Sequence, residues 1–245
     1  MATTKDKKKD LRKHIKSLTS SLPETETSTQ SQKVRDILIN LPQYQNASRL
    51  SIYLSMPKGE LQTDGLVQHA LTSGKQVFVP YLSGSGRSST MDMLRLQSLE
   101  EFHSLPRDDW GIPTLPSATI GERENAAGGK GLVEIEEIEA RYGPEAQQAG
   151  YATDPGRKDG EGTLDLIVMP GVCFDYGLSR LGHGGGYYDG FLTRFSGDGT
   201  RKPFLVGLCL AEQLLAMGQE VPTTNSDWIV DALAVGDGRL LTLDD

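Results

Sequence analysis

The chain has 245 residues, 33 acidic against 25 basic side chains and a formal net charge of −8. That length allows one sizeable core and at most two domains, and the acidic balance excludes a dedicated nucleic-acid binder, whose affinity comes mostly from neutralising phosphates. A mean hydropathy of −0.38, with no apolar run near the ~20 residues of a bilayer span, excludes an integral helical membrane protein.

The start, MATTKDKKKDLRKH, has no apolar stretch of the secretory kind, and Asp6 and Asp10 break an otherwise transit-like basic run, so the cytosol is the expected compartment. Cys173 and Cys209 lie on apolar runs without metal-ligand spacing and read as buried thiols in a reducing environment. The basic run Lys5 to Lys16 reads either as a solvated helix face or as a cationic clamp on a polyphosphate.

In chain order, Leu11, Ile15, Leu18 and Leu22 recur at helical spacing until Pro23. A second helix is predicted over about 28–40, with Val34, Ile37, Leu38 and Leu41 on one face. A short strand over 50–54 precedes a helix capped by Thr63 and closed by Gly74, and strands follow at 77–81 and 91–96. Strand, helix and strand joined by short loops imply a crossover unit and a parallel sheet.

Residues 117–163 are acidic, rich in Gly, Ala and Glu and almost without aromatics; they read as a partly disordered surface insertion, with a short helix over Val133–Tyr142 too poor in apolar surface to be anchored. Regular structure resumes with a strand over 164–169, a helix over 187–195, a strand over 204–210, a helix over about 211–217 and a closing hairpin over 233–243 turning at Gly236-Asp237-Gly238. The sum is a single α/β domain over 1–245: an open, mostly parallel sheet of about six strands with helices on both faces, in three layers.

The stretch from Leu164 to Phe195 carries the chemistry. An apolar strand breaks at Pro170-Gly171, passes Gly182, Gly184, Gly185 and Gly186, and enters a helix that opens Tyr187-Tyr188-Asp189. Strand, glycine-rich loop and helix start aim bare amides and a positive dipole end at one spot, where a phosphate belongs. Asp189 is placed for a divalent cation riding on that phosphate. The spacing fits neither a Walker A loop nor the dinucleotide fingerprint, because Tyr187 stands where the third glycine would be.

RLGHGGGYYD (Arg180–Asp189) resembles the signature of the 5-formyltetrahydrofolate cyclo-ligases. KKDLR (Lys8–Arg12), SIYLSM with Glu60 and Thr63, MDML (Met91–Leu94), Trp110-Gly111-Ile112-Pro113, DLIVMPGVCFD (Asp165–Asp175) and VPTTNSDW (Val221–Trp228) follow in that family's order. The resemblance covers most of the chain. It implies ATP with Mg²⁺ and a reduced folate as ligands, and ADP, phosphate and 5,10-methenyltetrahydrofolate as products. It implies an ATP site of Lys8, Lys9, Asp10, Leu11 and Arg12 with Arg180, Leu181, Gly182, His183, Gly184, Gly185, Gly186, Tyr187 and Tyr188.

By the same resemblance the folate meets Arg12, Leu54, Glu60, His183, Gly184, Gly185, Gly186 and Tyr187. Arg180, His183 and Tyr188 are the catalytic residues it implies, and Asp189 and Asp227 the metal pair. A monomer is expected, with no membrane or nucleic-acid partner. Some family members carry Arg and Lys where this chain has His183 and Gly185, so a titratable imidazole and bare backbone replace two fixed charges. The residues alone leave two other readings open: a folate- or nucleotide-binding protein without turnover, and a phosphosugar isomerase or CoA-transferase-like enzyme on a similar sheet.

Overall fold

The computed structural model describes residues 3–84, 89–132, 163–196 and 202–243. Seven strands form one sheet in the order β3-β2-β1-β4-β7-β8-β9, and a small ribbon, β5-β6, stands apart. The strands are β1 (Arg49–Ser51), β2 (Gln76–Ser83), β3 (Thr90–Leu96), β4 (Leu166–Met169), β5 (Cys173–Phe174), β6 (Arg180–Leu181), β7 (Phe204–Cys209), β8 (Ala232–Val235) and β9 (Leu240–Thr242). β2-β1-β4-β7-β8 are parallel, and the edges β3 and β9 run antiparallel. The sheet is therefore one strand larger than the estimate from sequence, and the hairpin predicted at its end is β8–β9.

Strict alternation splits the apolar side chains between two faces. Leu166, Val168, Val206, Leu208, Ala232 and Ala234 join one core, under Val34 and Leu38 of α2 (Glu24–Asn40) and Leu66, Val67 and Ala70 of α4 (Asp64–Thr72). Ile167, Met169, Leu205, Cys209, Leu233 and Val235 join the other, under Phe191 and Leu192 of α6 (Tyr187–Phe195). Helices thus cover both faces, as the three-layer reading requires. The described residues also include two short helices, α3 (Pro42–Asn46) and α5 (Leu99–Ser104). No helix among the described residues is long and apolar enough to cross a membrane.

Helix α1 (Thr4–Ser20) opens with a capping box: the Asp6 amide donates to Thr3 Oγ1 at 3.2 Å and the Thr3 amide to Asp6 Oδ2 at 3.1 Å. Its Leu11 and Ile15 pack on Val172, Cys173, Leu181, Leu215 and Val221, which seats α1 against the β5–β6 ribbon. Both cysteines are buried and free, and burial pushes the Cys173 thiol up to about 12, so neither serves as a nucleophile.

Several local readings change. α2 begins at Glu24, directly after Pro23, with Glu24 and Glu26 in the first turn, where carboxylates favour the helix dipole. Thr63 precedes α4, but its hydroxyl donates to the Tyr53 carbonyl at 2.7 Å and does not cap the helix. The helix expected over 211–217 is a single 3₁₀ turn, Ala211–Gln213. Gln213 Oε1 accepts from the Leu210 amide at 2.9 Å, and the Leu215 amide is drawn to the Phe174 carbonyl, so the turn cannot propagate.

Residues 117–132, expected as the start of a surface insertion, are part of the fold. The Ala126 amide donates to Met93 O at 2.8 Å, the Arg95 amide to Glu124 O at 2.9 Å, and Arg123 is buried against Glu101. The helix expected over 133–142 and the rest of the insertion to residue 162 lie outside the described residues.

Gly207 of β7 shows how tightly the central strands are packed. A Cβ there would stand 2.7 Å from Phe174 Cε1 and 3.0 Å from Leu233 Cδ1. Gly207→Ala is expected to destabilise the fold by about 1–3 kcal/mol in chemical denaturation, the range for overfilling a core.

Candidate functional site

Strand order reverses between β1 and β4, since β2 lies beyond one and β7 beyond the other. In open α/β sheets such a point leaves a crevice at the carboxyl ends of the strands. The segments that leave there are 52–60 after β1 and 170–186 after β4. The loop 222–228 joins them from the chain preceding β8: the Trp228 amide donates to Asp189 Oδ1 at 3.0 Å.

The glycine loop owes its shape to positions that favour a bare backbone. Gly184 has φ +110 and Gly186, the N-cap of α6, has φ +69. A Cβ at Gly185 would overlap the Tyr187 ring, so a side chain there requires Tyr187 to move. Arg12 Nε donates to the Gly182 carbonyl at 2.7 Å and ties α1 to the loop.

Between α1, the loop and residues 224–227 lies a cleft of about 470 Å³, lined by Thr4, Lys5, Lys8, Arg12, Leu181, Gly182, Gly184, Gly186, Asp189, Thr224 and Asp227. The N-terminus of α6 opens onto it. Three cations face two carboxylates, so the cleft favours a polyanion. Lys9 and Asp10, expected in the ATP site, are exposed on α1 and are not among the lining residues. Leu11 instead anchors α1 to the core. Thr4, Lys5 and Thr224 line the cleft without having been singled out from sequence; for Lys5 the basic run was the only signal.

Both expected metal carboxylates are engaged by protein cations. Arg180 Nη2 meets Asp189 Oδ2 at 2.9 Å, with the Arg180 side chain 4% exposed. Lys8 Nζ meets Asp227 Oδ2 at 2.7 Å, and the same oxygen accepts from the Thr224 amide and hydroxyl. Burial alone would raise the Asp227 carboxyl, but the bonds from Lys8 and Thr224 outweigh it and hold the group below its usual range.

Among the described residues no group of three or more His, Cys, Asp or Glu could cage a metal. Two carboxylates beside a polyanion cleft fit Mg²⁺, which is commonly held by one or two carboxylates plus substrate phosphates.

A second, drier region adjoins the cleft through Tyr188. Leu54 and Glu60 are buried, and the Met56 amide donates to Glu60 Oε2 at 3.0 Å. Burial raises the Glu60 carboxyl to about 7, against that single amide bond. The Tyr188 hydroxyl is buried without a hydrogen-bond partner, its ring lies 5.6 Å from the Arg180 guanidinium, and its ionisation responds to both Arg180 and Glu60. Arg180 and Tyr188 therefore join the two regions.

His183 is not the fixed charge that the resemblance left in question. Partial loss of water around a ring whose residue is still exposed, then repulsion from Lys16, Arg12 and Arg180, push the imidazole below its ordinary range. It is neutral in the free protein at physiological pH, and Arg12, Lys5 and Lys8 supply the cleft's positive charge.

The 5-formyltetrahydrofolate cyclo-ligase family model matches residues 4–133 and 115–236. A probable 5-formyltetrahydrofolate cyclo-ligase of Caenorhabditis elegans is 32% identical over 246 residues, covering 100% of this chain and 99% of its own. The 5-formyltetrahydrofolate cyclo-ligase of Mus musculus is 30% identical, covering 96% of each chain. The solved 5,10-methenyltetrahydrofolate synthetase of Aquifex aeolicus superposes with a TM-score of 0.62 at 25% identity, covering 97% of this chain and 93% of that one. The chain belongs to the 5-formyltetrahydrofolate cyclo-ligase family.

Two pH dependences follow. A folded-state value of about 7 for Glu60 lies above its ordinary 4.5, so the protonated form stabilises the fold and that contribution is lost as pH rises through 7. Glu60→Gln is expected to exceed the parent protein in thermal stability near about pH 8, by about 1–3 kcal/mol, with the difference shrinking towards about pH 5. The His183 imidazole is held below its ordinary 6.5, so the charged form disfavours the fold, and the thermal stability of the parent protein relative to His183→Gln is expected to fall as pH drops from about 7 towards about 5.

Proposed function

We propose that the protein converts 5-formyltetrahydrofolate to 5,10-methenyltetrahydrofolate, consuming ATP and releasing ADP and phosphate, with Mg²⁺ as the metal. The observation that carries this reading is a cationic cleft floored by a glycine loop whose Asp189 is paired with Arg180, which in turn lies 5.6 Å from the ring of Tyr188, a residue that senses the buried Glu60.

The chemistry demands that arrangement. The formamide carbon is a poor electrophile, because N5 donates into the carbonyl and oxide is a hopeless leaving group. The formyl oxygen attacks the γ-phosphorus of ATP; an O–P bond forms and the bond to ADP breaks. N10 then adds to the activated carbon, which is favoured because both nitrogens belong to one molecule. Phosphate departs with the C–O electron pair, the N10 proton is lost, and the five-membered methenyl ring remains.

The protein's task is to position the phosphoryl group and meet its charge. Arg12, Lys5, Lys8 and the amides of 182–186 suit the triphosphate. Asp189 and Asp227 would hold Mg²⁺, whose contribution is charge neutralisation on the phosphates. Glu60 suits the donor edge of a pterin, and Leu54 an apolar ring face. The unpartnered Tyr188 hydroxyl, its ring 5.6 Å from the Arg180 guanidinium, suits a hydrogen bond to the reacting formyl group. His183, neutral, contributes hydrogen bonding and not charge.

The cytosol is the proposed compartment; an Arabidopsis thaliana relative is named as mitochondrial. A monomer is the proposed state.

Incubation with 5-formyltetrahydrofolate, Mg²⁺ and ATP should give the methenyl absorbance, dependent on all three. Folate binding without ATP-dependent product would favour a sequestering protein, and neither binding nor product would favour the isomerase or transferase reading. Tyr188→Phe is expected to lower kcat about tenfold or more while leaving the KM for ATP nearly unchanged, the loss of one hydrogen bond made at the reacting centre.

A further inference from the structure

The two carboxylates are neutralised in different ways. Arg180, 4% exposed, holds Asp189 from within the fold, and the Trp228 amide occupies the other oxygen of that carboxylate. Lys8, 16% exposed, reaches Asp227 from across the cleft, from a helix 219 residues away in sequence. A lysine ammonium is a compact point charge on a flexible stem, and both side chains of this pair still reach solvent at the cleft, so the ammonium can swing to a second anionic partner there. The surroundings work against a bare divalent cation: Lys5, Lys8 and Arg12 outnumber Asp189 and Asp227 along the lining. A polyphosphate reverses that balance and offers Lys8 a better-charged partner on the same cleft wall.

We propose that Lys8 is an exchange latch: it occupies Asp227 in place of the metal until a nucleotide's phosphates draw it away, so that the divalent cation enters only together with the polyphosphate. This deepens the nucleotide–magnesium reading of the cleft and rests on it. The latch makes Lys8 a residue that changes partner during binding, from carboxylate to phosphate. It also gives α1, anchored by Leu11 and Ile15 behind the latch, a different N-terminal contact before and after nucleotide binding. A cleft that cannot fill with free metal keeps Asp227 from being neutralised by Mg²⁺ before the nucleotide arrives.

The test uses Mn²⁺ as the probe, with free Mn²⁺ followed by electron paramagnetic resonance on the full chain. Without nucleotide, the parent protein is expected to bind Mn²⁺ weakly, and Lys8→Met to bind it at least about tenfold more tightly, because an unpaired carboxylate is then exposed to the metal. Adding Asp227→Asn to Lys8→Met should erase the gain, and Lys8→Arg should behave as the parent protein does. Circular dichroism checks each variant, and Lys8→Gln replaces Lys8→Met if the latter fails to fold.

Equal Mn²⁺ affinity in the parent protein and in a folded Lys8 variant, or a gain that survives Asp227→Asn, overturns the latch. With a non-hydrolysable ATP analogue present, the parent protein should bind Mn²⁺ tightly. Failure in that arm alone strikes the nucleotide–magnesium reading, while the nucleotide-free comparison still decides the latch.

Discussion

The pair between the buried Arg180 and the half-buried Asp189 is the constraint on which the site depends. Arg180 comes from the β5–β6 ribbon and Asp189 from the first turn of α6, so their 2.9 Å contact fixes both ends of the glycine loop. The Trp228 amide on the other Asp189 oxygen brings the neighbouring Asp227 to the same wall, and Lys8 on Asp227 brings α1 to the opposite one. One chain of charges thus closes a cleft from four separate stretches of sequence. Removing Asp189 leaves the buried Arg180 charge without its carboxylate, which costs more than the pair itself contributes.

The second consequence is a division of environment. The cleft is open, cationic and floored by backbone amides, as suits a triphosphate. The region around Glu60 and Tyr188 is dry enough to lift a carboxyl to about 7 and to leave a phenol hydroxyl without a partner. Such a group is costly in an isolated fold and useful where a polar ligand arrives to satisfy it. Arg180 lies between the two, paired with Asp189 on one side and over the Tyr188 ring on the other. In the proposed reaction a polarised formyl oxygen and a γ-phosphoryl group would meet at that boundary.

Much of this was legible in sequence where the physics is local. β4, β7 and β8 are apolar runs because both sides of each strand are buried, and α6 announces itself by the glycine loop ahead of Tyr188, Phe191, Leu192 and Phe195 at helical spacing. Polar anchoring left no such trace. Residues 117–132 read as surface because Arg123 and Asn125 hold them through hydrogen bonds and not through an apolar stripe. Gln213 ended a helix that periodicity supported, by folding its side chain back to Leu210. The Lys8–Asp227 pair spans almost the whole chain, so both residues could be named from the family pattern, but not their mutual neutralisation. The charge of His183 was likewise undecidable in one dimension, since it depends on Lys16, Arg12 and Arg180 arriving from other elements.

The claim that joins these points is spatial: the triphosphate lies between α1 and the glycine loop, with its terminal phosphoryl group turned towards Tyr188. The most direct measurement is a crystal structure of the protein with Mg²⁺ and a non-hydrolysable ATP analogue. The expected result places the γ-phosphate within hydrogen-bond reach of the amides of 184–186 and of Arg12, with the metal beside Asp189 or Asp227. A triphosphate bound elsewhere on the molecule, with those amides facing solvent, would contradict it.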